Sequence, residues 1–155
     1  MKTIFALLIL AIALPSCSHN NDCCSVVDVG ITIKYLNETG ENLLEVENGI
    51  NTSEISLFHK VNDEWIEYYE GNLDYPKGLK TEERENIKYL VVFPSTTITV
   101  ADYSETMIQF SDSDFDIIRT KIDKSNSNII VTEVWYNDQL KWDAISTERI
   151  FEIIK

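Results

Sequence analysis

The chain has 155 residues, with 13 Lys and Arg against 26 Asp and Glu, for a formal net charge of −13. That length suits a single domain, and so acidic a surface repels polyanions, which excludes nucleic-acid binding and charge-driven attachment to anionic lipid. The acidic residues are dispersed among apolar and aromatic ones, as in a folded domain and not a disordered acidic tail.

The first element is a leader. Met1-Lys2-Thr3 carries one positive charge, and Ile4 to Leu14 is an unbroken apolar run of eleven residues. A membrane-spanning helix needs about 20 apolar residues, so this run matches the short core of a secretory signal peptide. Its ending, Leu14-Pro15-Ser16-Cys17, resembles the lipobox of bacterial lipoproteins. The resemblance implies cleavage after residue 16, a diacylglycerol on the Cys17 thiol and acylation of the new amine. It divides the chain into a signal peptide over 1–16, a lipidated tether over 17–26 and a domain over 27–155. Each buried methylene contributes about 0.8 kcal/mol, so two or three acyl chains would hold where one is marginal. Ser18 stands where an inner-membrane retention signal would place Asp, which points to the outer membrane. Removing the leader takes Lys2 with it and leaves 139 residues of net charge −14.

The other two cysteines, Cys23 and Cys24, are adjacent. Neighbouring α-carbons lie about 3.8 Å apart, whereas disulfides prefer about 4.4–6.8 Å, so a bond between the two would be strained. They are left to pair with another molecule, to stay reduced, or to bind a soft metal with His19. Two cysteines and one histidine fall short of a closed ligand set. In none of these readings do they staple the fold.

From Val27 onward the hydrophobic period is two. Val27, Val29, Ile31, Ile33 and Tyr35 alternate with polar residues or glycine, the pattern of a half-buried strand. "NETGEN" at 37–42 is a turn. Ile55, Leu57, His59 and Val61 form a second strand, Asn62-Asp63 supplies turn chemistry, and "EWIEYYEG" returns as a hairpin. Residues 71–86 are polar and are expected to form a long loop. "IKYLVVF" at 87–93, stopped by Pro94, is expected to be a central strand, with shorter strands over 96–100 and 105–110. Phe115 to Lys124 fits either a helix or a strand. "NIIVTEVWYNDQLKWDAI" pivots on Asn137-Asp138, which sets Trp135 opposite Leu140 and Glu133 opposite Trp142. On that register Ile129, Val131, Trp135, Leu140, Trp142 and Ala144 share one face. "RIFEIIK" is a last strand. Eight or nine short strands with regular turns predict an all-β fold, a single antiparallel β-sandwich of immunoglobulin-like or transthyretin-like form.

Three stretches bear a resemblance. "DVGITIKYLNETGENLL", "VWYNDQLKW" and the closing "IIK" look like a group of short uncharacterised lipoproteins from Bacteroidetes-type bacteria, over nearly all of the mature chain. The opening strand and "NETGENLL" also resemble transthyretin-like and carboxypeptidase-regulatory-like sandwiches, over about twenty residues. Neither resemblance carries a catalytic residue or a cofactor.

The residues able to do chemistry are few. His59 lies on a strand between core-facing Leu57 and Val61 and is read as a structural histidine. No G-x-S-x-G motif or phosphate-cradling glycine loop occurs, and no spacing singles out a carboxylate pair. Asp112, Asp114 and Asp116 in "SDSDFD" resemble the start of a calcium loop. They lack its glycine and its distant glutamate, and are read as a solvated acidic edge. Trp65, Glu67 and Tyr69 fall on one side of their strand, Ile66 and Tyr68 on the other. One set belongs to the core. The expectation is that Trp65 does; otherwise Trp65, Glu67 and Tyr69 form a ligand platform, rings stacking on sugar faces beside a carboxylate. The chain is thus expected to be a membrane-anchored envelope lipoprotein without cofactor or metal. Its role is that of a non-enzymatic binding or structural accessory, with an envelope protein or a glycan as partner. The alternatives are an envelope hydrolase working through carboxylates and a carbohydrate-binding module.

Overall fold

The structure is a computed structural model that describes residues 25–146 and 148–155. The expected signal peptide over residues 1–16, and Cys17, His19, Cys23 and Cys24, lie outside the described residues. Eleven strands run in chain order: β1 (Val27–Asp28), β2 (Ile31–Leu36), β3 (Ser56–Val61), β4 (Glu64–Glu67), β5 (Leu79–Arg84) and β6 (Ile87–Val92), followed by β7 (Tyr103–Ser111), β8 (Asp114–Asp123), β9 (Ile129–Tyr136), β10 (Gln139–Asp143) and β11 (Ile150–Ile154). A 3-10 turn, Ser125–Ser127, lies between β8 and β9. The larger sheet has the order β1-β9-β8-β7-β3-β4, with β10 also on β9, and the smaller has the order β11-β2-β6-β5. Packed together they make the expected all-β sandwich.

Two features exceed the sequence-based picture. The strands number eleven, and two pairings, β1 with β9 and β11 with β2, are parallel. Both partners in each pair are far apart in sequence, so no tight turn dictates their direction. The extra strand of the smaller sheet is β5, where a loop over 71–86 was expected. It pairs with β6 along its whole length, and its charged side chains are those an exposed sheet edge carries.

The hairpins follow from their turn residues. Asn62-Asp63, Glu85-Asn86 and Asn137-Asp138 all take positive φ at both positions, the type I′ geometry that matches strand twist. Asn and Asp tolerate this backbone; Glu85 is the unusual one. Phe115 to Lys124 resolves as strand β8, in which Asp116, Ile118, Thr120 and Ile122 are buried in alternation.

Residues 96–100 form no regular strand; only Val100 makes an isolated bridge, to Tyr103. Side-chain hydroxyls pin the preceding segment instead. The Ser95 N–H donates to Thr106 Oγ1 at 2.8 Å, and the Ser104 hydroxyl donates to the Ser95 carbonyl at 2.6 Å.

Bulges change the face of the C-terminal hairpin. Leu140 does oppose Trp135, but a shift before Trp142 places Val134, not Glu133, opposite it. A second shift, between Lys121 and Ile122 against β9, leaves Val131, Val134 and Tyr136 inside and Trp135 outside. Thus Trp135 and Leu140 leave the face on which strict alternation put them. An extra residue in one strand inverts everything beyond it.

The core joins both sheets: Ile31, Ile33 and Tyr35 of β2 and Leu90 and Val92 of β6 meet Leu57, Ile108, Ile118 and Val134 of the larger sheet. Burying each such aliphatic side chain contributes about 1.5–3 kcal/mol. Arg149 closes one end. Its guanidinium grips Asp28 with two hydrogen bonds, donates to the carbonyls of Gly30 and Val131, and lies 4.6 Å from the Trp142 ring centre.

Candidate functional site

The three aspartates of "SDSDFD" do not act as a set. Asp112 sits exposed in the β7–β8 turn, whereas Asp114 and Asp116 begin β8 and flank the Lys155 ammonium at 2.6 and 2.8 Å. Asp116 is only 7% exposed and also accepts hydrogen bonds of 2.6 Å from the Tyr136 hydroxyl and from Asn137 Nδ2. Because Tyr136 spends its proton there, Tyr35, 3.0 Å away, donates to the Tyr136 oxygen. Burial alone would raise the Asp116 pKa. The donors Lys155, Tyr136 and Asn137 outweigh it and hold the group below the usual carboxylate range. Asp116 is therefore a structural anion, not the solvated edge expected of it. Among the described residues no group of three or more His, Cys, Asp or Glu is placed to hold a metal.

Trp65, Glu67 and Tyr69 end up outside. All four residues of β4 are exposed, Trp65 by 37%, and Tyr69 beyond it by 67%. The expectation that Trp65 packs in the core is corrected: β4 is an edge strand, and the residue of this stretch that packs against the core is Tyr68, just after it. Trp65 starts a row across the solvent face of the larger sheet, through Lys60, Glu105, Arg119, Trp135 and Leu140. Lys60 is 2.7 Å from Glu105, and the Arg119 guanidinium lies 5.2 Å from the ring centres of both Tyr103 and Trp135. Lys60 is thus ion-paired and Arg119 packed on two rings, although Arg119 Nε is buried without a hydrogen-bond partner among the described residues.

The more enclosed feature lies at one end of the sandwich. Here residues 27–30 and 93–97 cross between the sheets, and a cavity of about 560 Å³ opens beside them. Its aromatic wall is His59 on β3, Tyr68 just after β4, Tyr75 in the β4–β5 loop, and Phe93 just after β6. The rings form two stacked pairs, His59 with Tyr68 at 4.3 Å and Tyr75 with Phe93 at 5.8 Å. Ser95, Thr96 and Thr97 make a polar wall, and Asp74 adds a single carboxylate.

The loop carrying Tyr75 is held by its backbone. The N–H groups of Glu70, Gly78 and Phe93 donate to the carbonyls of Pro76, Tyr75 and Gly78 at 2.8 to 2.9 Å. Lys77 Nζ ties the same loop to the Ser53 carbonyl at 2.7 Å. Gly78 is required at its place: its φ is +70°, and a Cβ there would lie 2.9 Å from the Tyr68 ring.

His59 was expected to be structural, and its packing agrees. Burial pushes its pKa down to about 4, so the imidazole is neutral at neutral pH, and its Nε2 is buried without a hydrogen-bond partner among the described residues. Sequence reasoning missed Tyr75 and Phe93. The available signal was an aromatic residue directly before a proline in both "YPKG" and "FP", where the proline halts the chain and leaves the ring at the sandwich end.

The chain matches no family model, no curated protein and no solved structure.

Proposed function

We propose that this chain is a lipid-anchored, non-enzymatic binding protein of the cell envelope, held by Cys17 in the outer membrane, with its ligand seat in the cavity between the sheets. The observation that carries the reading is that cavity: about 560 Å³, walled by four rings and a short polar segment. Small-molecule sites commonly have this size and this mixture of apolar wall and few polar groups. Val27 and Val29 belong to its wall, and ten residues of chain reach at most about 35 Å. A cavity tethered through Cys17 would therefore stay close to the bilayer.

The Asp114–Asp116 pair is not suited to hydrolysis by paired carboxylates. A general acid needs a raised pKa, whereas Asp116 is held low and shares the Lys155 ammonium with Asp114.

Two measurements test the reading. In producing cells a fatty-acid analogue should label the parent chain, while Cys17→Ala should stay unlabelled and uncleaved; labelling that survives the substitution refutes the anchor. In a fragment screen by protein-observed NMR, hits should map to Tyr68, Tyr75 and Phe93. A screen whose hits all fall elsewhere refutes the seat.

A further inference from the structure

We propose that the inter-sheet cavity takes a neutral saccharide of one or two pyranose units, an inference that rests on the cavity being the ligand seat. Its walls discriminate between ligand classes. An anion finds no cationic side chain among the lining residues, meets Asp74 at the rim, and approaches a chain of net charge −13. An organic cation would ordinarily favour ring faces. Here, however, the Tyr75 ring already has a cation beside it, the Lys80 ammonium 5.3 Å from its centre and paired with Glu82 at 3.2 Å, so Asp74 is the feature left to draw an organic cation. A plain hydrocarbon would fill the space but bring no partner for Asp74, Thr96 or Thr97, and polar groups desolvated without partners cost free energy.

A pyranose satisfies all three walls. One face of the ring carries C–H groups that lie flat against an aromatic side chain, while its rim carries hydroxyls that both donate and accept. Leu73, 49% exposed, and the part of the 42% exposed Tyr75 ring that Phe93 and Lys80 leave open stand at the mouth and are the apolar surfaces such a face would cover. Asp74 accepts from ligand hydroxyls, and Thr96 and Thr97 of the polar wall supply further hydrogen-bonding groups. The wall opposite is rigid, because Tyr68 is wedged between Gly78 and His59. Rings held in place lose little entropy on binding.

The test uses the purified full chain and a panel of free neutral mono- and disaccharides, titrated to millimolar concentration while the aromatic NMR resonances are followed. At least one sugar should saturate, with shifts confined to Tyr68, Tyr75 and Phe93. Tyr75→Ala should weaken it tenfold or more and Asp74→Asn severalfold, both with unchanged melting, while Trp65→Ala leaves it unaffected. If Tyr75→Ala unfolds, Asp74→Asn alone carries the test. The proposal is overturned if no sugar in the panel moves these resonances, or if the shifts centre on Trp65 and Trp135. Fragments that bind the cavity without competition from any sugar overturn the ligand class and leave the binding reading standing.

Discussion

At the scale of single residues, the largest departures from expectation are charged or titratable groups that the fold has taken inside. Lys155 Nζ sits between Asp114 and Asp116 and 4.2 Å from the Phe110 ring centre. Burial would lower its pKa, but hydrogen bonds to the two aspartates raise it above the usual lysine value. Lys155→Met should cost about 2 kcal/mol in denaturant melts, less than the 3–5 kcal/mol of a fully buried pair because Asp114 is half exposed. With the ammonium holding these oxygens, millimolar Ca²⁺ should leave the parent's melting temperature unchanged; a rise that Asp114→Asn removes would reveal a calcium site. His59 makes the pH prediction. Its folded pKa of about 4 lies below its ordinary value of 6.5, so between those values the unfolded chain binds a proton that the native chain does not. Its contribution to stability is therefore complete above pH 6.5 and falls away as the pH drops toward 4. The loss is at most about 2 kcal/mol once residual exposure is allowed for. His59→Phe should flatten this part of the stability–pH curve, and an unchanged slope would remove His59 as its source.

At the scale of elements, edge position decides what alternation cannot. β4 and β6 are both short apolar-rich strands, yet β6 lies between β2 and β5 while β4 closes its sheet. Hence Leu90 and Val92 are fully buried, whereas Trp65 is a surface residue. Trp65→Ala should accordingly cost about 1 kcal/mol, the scale of a cross-strand pair such as that with Lys60. A core tryptophan would cost about 3–5 kcal/mol; a loss of that size would place Trp65 in the core after all. The hairpins at Asn62-Asp63 and Asn137-Asp138 were legible because their turn type depends on two adjacent residues. Glu85-Asn86 uses the same turn without its usual composition, and so β5 was hidden. The bulges of β9 and β10 were hidden for a related reason: an unpaired residue is accommodated by its neighbouring strand, not by its own sequence.

For the whole molecule, the period-two pattern from Val27 onward and the spacing of turns were enough to specify an all-β sandwich. These signals are local: side-chain alternation and turn backbone need only a few consecutive residues. The N-terminal motif around Cys17 is local in the same way and yields an expectation about address without any fold. Which strands stand at the edges, which way β1 and β11 run, and where Lys155 finds its aspartates depend on residues far apart in the chain, such as Thr32 and Ile150, so only the packed sheets decided them. The cavity is the clearest case. His59 belongs to β3, Tyr68 and Tyr75 to the β4–β5 connection and Phe93 to the β6–β7 connection, and no spacing along the chain brings them together. They meet because the sheets must be bridged at one end, and the crossing segments leave there a space that the core does not fill.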